Sequence, residues 1–273
     1  MAKARLEGPL SPNGIEVESL LSRLQAGHSI PEPVVLVVAH PDDEVIGLGS
    51  RLALFHRLTL IHLTDGAPRD RRDMHRAGFP DRQAYARARE AELRVALARL
   101  SVHPRRIGYG IPDQETARAL PELIARLRAD LSGMAAVLTH PYEHGHPDHD
   151  SAALAVARAA PDLPRFEIAF YHQTPTDARF GQFWPDPDCP ETVICLSPEE
   201  QRAKAEALAC FATQAETLAQ FGLETERLRP APAYDFTRPA PPGAALYERW
   251  GFTETAADWR AHAERVLESA CAA

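Results

Sequence analysis

Apolar residues recur along the chain in two patterns. Short runs such as 34–39, which reads VVLVVA, are apolar at every position and rich in β-branched residues, which is typical of strands buried on both faces of a parallel sheet. Longer segments between these runs carry apolar residues three and four apart, which predicts amphipathic helices. The expected strands are 34–39, 58–63, 106–109, 135–139, 166–172 and 192–196, and the expected helices are 15–25, 45–56, 81–100, 120–131, 151–159, 198–221 and 256–270.

Strands that alternate with helices imply βαβ units and therefore a parallel sheet covered by helices. We predict an α/β fold with a Rossmann-like, mostly parallel sheet and helices on both faces, in three α/β/α layers. Proline is concentrated in 161–198 and 230–242, and it is excluded from helix interiors and central strands, so these stretches predict long loops. They do not separate two similar halves. We therefore expect one domain over 1–273, with a loop-rich and less recognisable portion from about 175.

Composition limits the classes of function. The chain has 38 Asp and Glu against 30 Lys and Arg, a formal charge of -8, whereas a protein that binds a nucleic-acid backbone needs a basic face. No stretch approaches the ~20 apolar residues of a membrane span, and the four cysteines form no CxxC pair that would suggest a zinc ribbon or redox site. We expect a cytoplasmic protein that acts on a small molecule. The sequence does not indicate its oligomeric state.

The residues that follow each predicted strand are the first candidates for function, because ligands bind outside the carboxyl ends of the strands in such sheets. The first strand is followed by HPDDE at 40–44, and the fourth by HPYEHGHPDHD at 140–150. Four of the chain's 12 histidines lie within 140–149. Imidazole and carboxylate groups at a shared sheet edge are the ligand set of a divalent metal, most often zinc.

In the first motif, His40 and Asp43 lie three residues apart at a strand-to-helix turn that Pro41 stiffens, so two donors can face one ion. Only one of Asp42 and Asp43 can easily be a ligand. The other is left as a free carboxylate beside the metal, as general-base activation of water requires. A simpler role, an acid that suits a helix N-terminus, is expected for Glu44.

In the second motif, His146 and His149 are also three residues apart, so one is expected to ligate and the other to face the substrate. Three protein ligands with an open position are typical of catalytic zinc, whereas four closed ligands are typical of structural zinc. Asp150 is interpreted as a first-turn acid. Asp148 and His144 are candidates for supporting or loop roles.

The two motifs, AHPDDE at 39–44 and GHPDH at 145–149, resemble those of the zinc-dependent N-deacetylases called the LmbE-like or PIG-L family. The resemblance covers about 33–175, with weaker support from LTDG at 63–66, Arg89 with Glu92, and GIPD at 110–113. The segment 100–102 reads LSV where family members usually have LGV. An LmbE-like fold and a zinc ion, with Fe²⁺ or another divalent metal as an alternative, are what this resemblance implies.

Carried over residue by residue, the resemblance implies distinct roles for the candidates. The implied zinc ligands are His40, Asp43 and His149. Asp42 is the implied general base, and His146 the group that stabilises the oxyanion or protonates the leaving amine. We expect Asp148 or another carboxylate to keep His146 charged. The implied substrate-binding residues are Arg89, Asp113 and Asp65.

The implied activity is removal of an acetyl group from an N-acetylated amino sugar or glycoconjugate. One alternative is a related amidase acting on a thiol or sugar conjugate, because metal and base do not select the acyl or amine portion. Others are a purely structural metal site and a non-catalytic Rossmann-like ligand-binding protein, although the acidic turn after the first strand would repel a nucleotide phosphate.

The C-terminal portion of the chain is also rich in aromatic residues. We expect most of them in the core and one or two as candidates to stack on a sugar: Tyr234, Phe236, Tyr247, Trp250, Phe252 and Trp259.

Overall fold

The structure is a computed structural model that describes residues 17–240, 243 and 245–271. The strands are β1 (Ile30–Val38), β2 (Phe55–Pro68), β3 (Arg105–Asp113), β4 (Ala136–Thr139), β5 (Arg165–Ile168), β6 (Tyr171–Gln173), β7 (Ala178–Phe180), β8 (Thr192–Cys195) and β9 (Thr225–Pro230). The helices are α1 (Val17–Ala26), α2 (Asp43–Leu48), α3 (Arg72–Arg76), α4 (Arg82–Arg99), α5 (Leu120–Asp130), α6 (Pro147–Ala159), α7 (Pro198–Leu208), α8 (Ala215–Leu218), α9 (Leu246–Arg249) and α10 (Ala256–Cys271). Short 3₁₀ turns lie at Leu52–Leu54, Thr116–Ala119 and Ala212–Gln214.

A mixed sheet has the strand order β3-β2-β1-β4-β5-β9-β8, and β6 pairs with β7 in a separate hairpin. Strands β1 to β5 are mutually parallel, whereas β9 and β8 run antiparallel at one side. The predicted Rossmann-like, mostly parallel sheet is confirmed. The order reverses between β1 and β4, which are neighbours, and this topological switch point is where such sheets form a crevice for ligands.

Alternate residues of β1 face two different helical layers. Val34, Leu36 and Val38 belong to the core cluster that includes apolar residues of α1, α2, α4 and α7. Val35 and Val37 belong to the cluster with α5, α6 and α10. Both sides of the strand are therefore buried, which explains its unbroken apolar run and gives the three expected layers. Among the described residues, no helix is long and apolar enough to cross a membrane.

Several element bounds differ from the sequence-based expectations. The helix expected over 45–56 stops at Leu48, and β2 already begins at Phe55. Between the strand expected over 58–63 and the helix expected over 81–100, β2 continues to Pro68 and α3 forms a further short helix. The strand expected over 166–172 divides between β5 and the hairpin strand β6. Of the first expected helix, residues 15 and 16 lie outside the described part of the chain.

The two largest differences between the expected and the observed elements both occur at buried side chains. The helix expected over 198–221 breaks near Phe211, which leaves helical geometry with φ −90° and ψ 65° and is fully buried. Strand β9 was not expected because its sequence is polar. In this strand Glu226 pairs with Lys204, and Arg229 pairs with Glu167. All four side chains are buried, whereas the hydrophobic pattern of a sequence predicts buried strands only from apolar residues.

Candidate metal centre

The two histidine motifs lie side by side because β1 and β4 are adjacent parallel strands. Helix α2 begins at Asp43, within the first motif, and α6 begins within the second motif with His146 as its N-cap. The backbone N–H of Ala39 donates to His140 Nε2 at 2.9 Å, which ties the two strand ends together. Thr64, at the end of the apolar run of β2, donates from its backbone N–H and its hydroxyl to the Ala39 carbonyl.

His40, Asp43 and His149 form the first group of side chains that could hold a metal ion, and all three are buried. Asp43 lies between the two histidines, with Oδ2 3.4 Å from His40 Nδ1 and Oδ1 3.6 Å from His149 Nε2. Burial alone would raise the pKa of Asp43, but the surrounding histidines, led by His149 and His140, hold it well below its usual range. Asp43 is therefore a carboxylate, the form that a metal ligand needs.

His149 has the properties of a ligand without its ion. Its Nε2 is buried and has no hydrogen-bond partner in the described part of the chain. Burial and the neighbouring His140 lower its pKa well below the usual range, so the imidazole is neutral. Its ring stacks on that of His140 at 3.8 Å between centroids, which fixes the ring plane. An orphaned nitrogen beside two other donors fits a bound cation.

A second possible donor group shares His40 and adds Asp113, His146 and Asp148. His40 Nε2 lies 3.2 Å from both Asp113 Oδ1 and Asp148 Oδ2. Asp148 is already occupied, because it accepts from the backbone N–H groups of Gln114 and Thr116 and, at 2.5 Å, from the Thr116 hydroxyl. A buried carboxylate with these donors is better suited to orient His40 than to bind an ion itself.

Asp42 is held as a lone carboxylate beside the first donor group. Its Oδ2 accepts from Arg89 Nη2 at 2.8 Å, and its side chain makes no capping hydrogen bond to α2, so it is not a simple helix cap. Its backbone has φ 145°, a conformation that costs about 1–3 kcal/mol in a non-glycine residue and that clusters at functional sites. Burial, opposed by the charge of Arg89, raises the pKa of Asp42 to about 8.

His146 lines the same cavity as Asp42. Burial and the neighbouring His40 lower the pKa of His146 to about 4, which favours the neutral imidazole, whereas the sequence-based expectation was an imidazolium held by Asp148. Its Nδ1 accepts from the Asp148 backbone N–H at 3.2 Å, which leaves the proton on Nε2. Nε2 lies 3.6 Å from Asp113 Oδ1 and is a donor inside the cavity.

The three expected substrate-binding residues occupy different positions. Asp113 is buried beside His40 and lines the cavity, where the neighbouring histidines keep its pKa below the usual range although burial opposes this. Arg89 also lines the cavity, yet it donates to Asp42 and to the carbonyls of Gly66 and Pro41. The structure does not bring Asp65 to the cavity lining.

Asp65 instead receives two hydrogen bonds from Arg82, at 2.6 and 2.7 Å. The glycine after it, Gly66, has φ 66°, and a Cβ atom there would lie 2.7 Å from the guanidinium of Arg89. A side chain at this position would displace Arg89. The LTDG motif therefore supports Arg89, and through it the carboxylate of Asp42.

Sequence analysis gave His140 no role, and it gave His144, a candidate for a supporting role, no partner. His140 contacts Asp43 Oδ2 at 3.4 Å and stacks on His149, although only its place directly after β4 marks it. His144 and Asp150 form a buried pair at 2.8 Å, and His144 also binds the C-terminal segment through the backbone N–H groups of Ala240 and Leu246. Both residues thus hold structure in place around the donors.

A cavity of about 560 Å³ opens onto the site, within the range of pockets that bind small molecules. Its lining includes residues of α3, of α8 and of the segment after α9, together with six of the residues discussed above: His40, Asp42, Asp43, Arg89, Asp113 and His146. The fold and this arrangement define an α/β protein with a buried His/Asp donor cluster and a separate carboxylate at the switch point of its sheet. A metal-assisted hydrolase has this combination of groups.

Residues 35–160 match the model of the PIG-L family, described as GlcNAc-PI de-N-acetylase. The match spans both histidine motifs, so the resemblance that they carry is confirmed. The match agrees with the prediction of an enzyme that hydrolyses an N-acetyl amide. A comparison with curated protein sequences gives no significant match.

Solved structures of deacetylases share the fold. The zinc-inhibited form of teicoplanin deacetylase Orf2 is 16% identical, with a TM-score of 0.55, over 74% of this chain and 99% of that one. A deacetylase–teicoplanin complex is 17% identical, with a TM-score of 0.56, over 74% and 100%. The A40926 pseudoaglycone deacetylase Dbv21 is 18% identical, with a TM-score of 0.53, over 74% and 97%. At these identities the likeness shows the fold.

Proposed function

We propose that this protein is a zinc-dependent N-deacetylase that releases acetate from a small N-acetylated amino sugar or glycoconjugate. One observation carries the proposal: the cavity beside the β1 and β4 strand ends is lined by two members of a buried three-residue donor group, by a carboxylate outside that group and by a further imidazole. The family match over 35–160 supports the same activity. The proposed location is the cytoplasm, since the sequence predicts neither a membrane span nor a disulfide framework.

His40, Asp43 and His149 are the proposed metal ligands. The Nε2 side of His40 lies against Asp113 and Asp148, so Nδ1 is the nitrogen that remains for the ion. A carboxylate on the far side of a ligating imidazole fixes its tautomer and strengthens it as a ligand. A divalent cation held there would polarise the amide carbonyl. It would also lower the pKa of the attacking water, so that the water can lose a proton to a base near neutral pH. Zinc suits a His₂Asp donor set, and a related fold is described in a zinc-inhibited form.

Asp42 is the proposed general base. One oxygen, Oδ2, is held by Arg89, so Oδ1 is left to accept the proton of the attacking water. Burial raises the pKa of Asp42 towards the working pH, which suits both halves of the reaction, because the group that takes this proton must later give it to the departing nitrogen. The amide C–N bond then breaks, the amine leaves with the proton from Asp42, and acetate is the second product.

His146 is the proposed donor to the oxyanion. As a neutral imidazole with its proton on Nε2, it donates a hydrogen bond to the negative charge that develops on the carbonyl oxygen. It need not be protonated, since Asp42 supplies the proton for the amine. Arg89 keeps the carboxylate of Asp42 in place, and any direct contact of Arg89, Asp113 or Asp65 with substrate remains a prediction.

Acetate release from a panel of N-acetylated sugars, before and after chelation and with limiting added zinc, tests the activity. We expect Asp42→Asn to lower kcat about 10²–10⁴-fold while bound metal stays near that of the wild type. Asp162→Asn is the matched control, because Asp162 is exposed in the turn before β5, away from the carboxyl ends of the strands. Bound zinc without hydrolysis of any amide would favour a structural site, and zinc loss in Asp42→Asn would contradict its assignment as the base.

A further inference from the structure

One side of the cavity is apolar. Tyr171, Phe221, Trp250 and Phe252, here called the aromatic wall, line it together with Ile46. The rings follow one another at centroid distances of 6.0 Å for Tyr171 and Phe221, 5.4 Å for Tyr171 and Trp250, and 6.1 Å for Trp250 and Phe252. They therefore form a continuous surface.

The aromatic wall reaches the reacting groups. Phe252 packs edge-on against His146, with 5.2 Å between ring centroids, and Tyr171 contacts His149 at 5.1 Å. A group bound on this wall would therefore lie next to the amide that is hydrolysed. Other lining residues are polar and charged: Asp70, Arg72, Asp73, Arg76 and Glu216.

Trp250 is unusual within the wall. Tyr171 and Phe221 are buried, whereas Trp250 is 38% exposed, and among the described residues Val95 is the other exposed large hydrophobic side chain. Val95 lies on α4 and is absent from the cavity lining, but Trp250 faces the cavity. An aromatic ring left in contact with water beside a reaction site has apolar area available for a ligand.

The segment that carries Trp250 is fixed in position. Arg249 donates to Gln173 Oε1 at 2.9 Å, and the Leu246 N–H donates to the carbonyl of His144. The wall is therefore present before any ligand binds. A preformed apolar surface binds its ligand without the entropic cost of ordering a loop.

We propose that the aromatic wall binds an apolar or aromatic group on the amine portion of the substrate, so that the enzyme prefers amphiphilic glycosides of an N-acetylated sugar over the sugar alone. The sugar hydroxyls face the polar lining, and the apolar group covers Trp250. This inference rests on the proposed deacetylase function and adds the class of substrate. The PIG-L match ends at residue 160, before every aromatic member of the wall.

Two probes test the selectivity: the phenyl and the methyl β-glycosides of N-acetylglucosamine. In Trp250→Ala, kcat/KM for the phenyl glycoside should fall about tenfold or more, mainly through KM, because the lost contact is with the binding group and not with the reacting atoms. The methyl glycoside should change by less than about threefold, since it has no large apolar group to lose the contact. Trp250→Phe should retain most of the preference, and Val95→Ala should retain all of it. Equal losses on both probes, or no loss on either, would overturn the proposal.

Calorimetric binding of the phenyl glycoside of glucosamine, which has no acetyl group to hydrolyse, separates this inference from the deacetylase function. Binding that is strong in the wild type and about tenfold weaker in Trp250→Ala supports the wall even if no amide is hydrolysed. Acetate release with equal binding in both proteins would support the deacetylase and overturn the wall.

Discussion

The segment 35–160 and the segment from Tyr171 onward contribute to one cavity in different ways. The first supplies every proposed metal ligand and the proposed base, on turns held by hydrogen bonds between neighbouring strand ends. The second supplies apolar surface through Tyr171, Trp250 and Phe252, and attaches to the first at His144 through backbone N–H groups. The proposed chemistry therefore depends on buried, interlinked side chains of the first segment, whereas the proposed selectivity depends on the second segment, which packs against them at His146 and His149.

The largest effect is expected from removing the central donor of the first segment. Asp43→Ala deletes the carboxylate that contacts three histidines, His40, His140 and His149. Bound metal should fall to background and acetate release should become undetectable, because the remaining imidazoles cannot complete the ligand set. Elemental analysis of the purified variant beside Asp162→Asn checks this. A normal metal content in Asp43→Ala would place the ion elsewhere.

A smaller effect is expected at the proposed oxyanion donor. His146→Ala should lower kcat about 10²–10³-fold with bound metal unchanged, the usual cost of losing such a donor. His146→Gln offers an amide N–H and should recover part of this loss, because the proposed role needs a neutral donor and not a cation. Steady-state kinetics of the two variants beside His103→Ala, an exposed histidine ahead of β3, provide the measurement. No recovery by glutamine would argue for a protonated His146.

The smallest effect on chemistry is expected where the two segments join. His144→Ala removes the hydrogen bonds to Asp150 and to the Ala240 N–H, and should lower the free energy of unfolding by about 1–3 kcal/mol. Metal affinity should be unchanged, while the preference for the phenyl glycoside should weaken as the aromatic wall loosens. Denaturant unfolding and metal titration separate these effects. A large loss of bound metal in His144→Ala would show that metal binding by the first segment depends on its contact with the second.

The donors could be predicted because each follows a strand whose apolar run is unmistakable. His40 and Asp43 follow β1, His146 and His149 follow β4 by a few residues, and topology brings parallel strand ends to one edge. Arg89 was predicted at the site, but its hydrogen bond to Asp42 was not. This contact requires that Gly66, distant in sequence from both residues, has no side chain to displace the guanidinium.

The C-terminal portion could not be predicted in the same way. Strand β9 is hidden by polar residues whose partners, Lys204 and Glu167, are distant in sequence. Asp65 was predicted to bind substrate because of its place in the LTDG motif. Its side chain instead pairs with Arg82, and sequence spacing does not reveal this contact. The sequence shows the concentration of aromatic residues near 250. Which of their rings line the cavity depends on how this segment packs against His144, and the sequence does not reveal that packing. The expectation that residues 1–273 form one domain stays a prediction.

Anomalous diffraction at the zinc absorption edge from crystals of the zinc-loaded protein is the most direct test of the proposed metal site. We expect one peak per chain among His40, Asp43 and His149, with Asp42 and His146 beside it and not bound to it. A peak among His40, Asp113, His146 and Asp148, or no peak at full zinc loading, would contradict the assignment of the site and of the base.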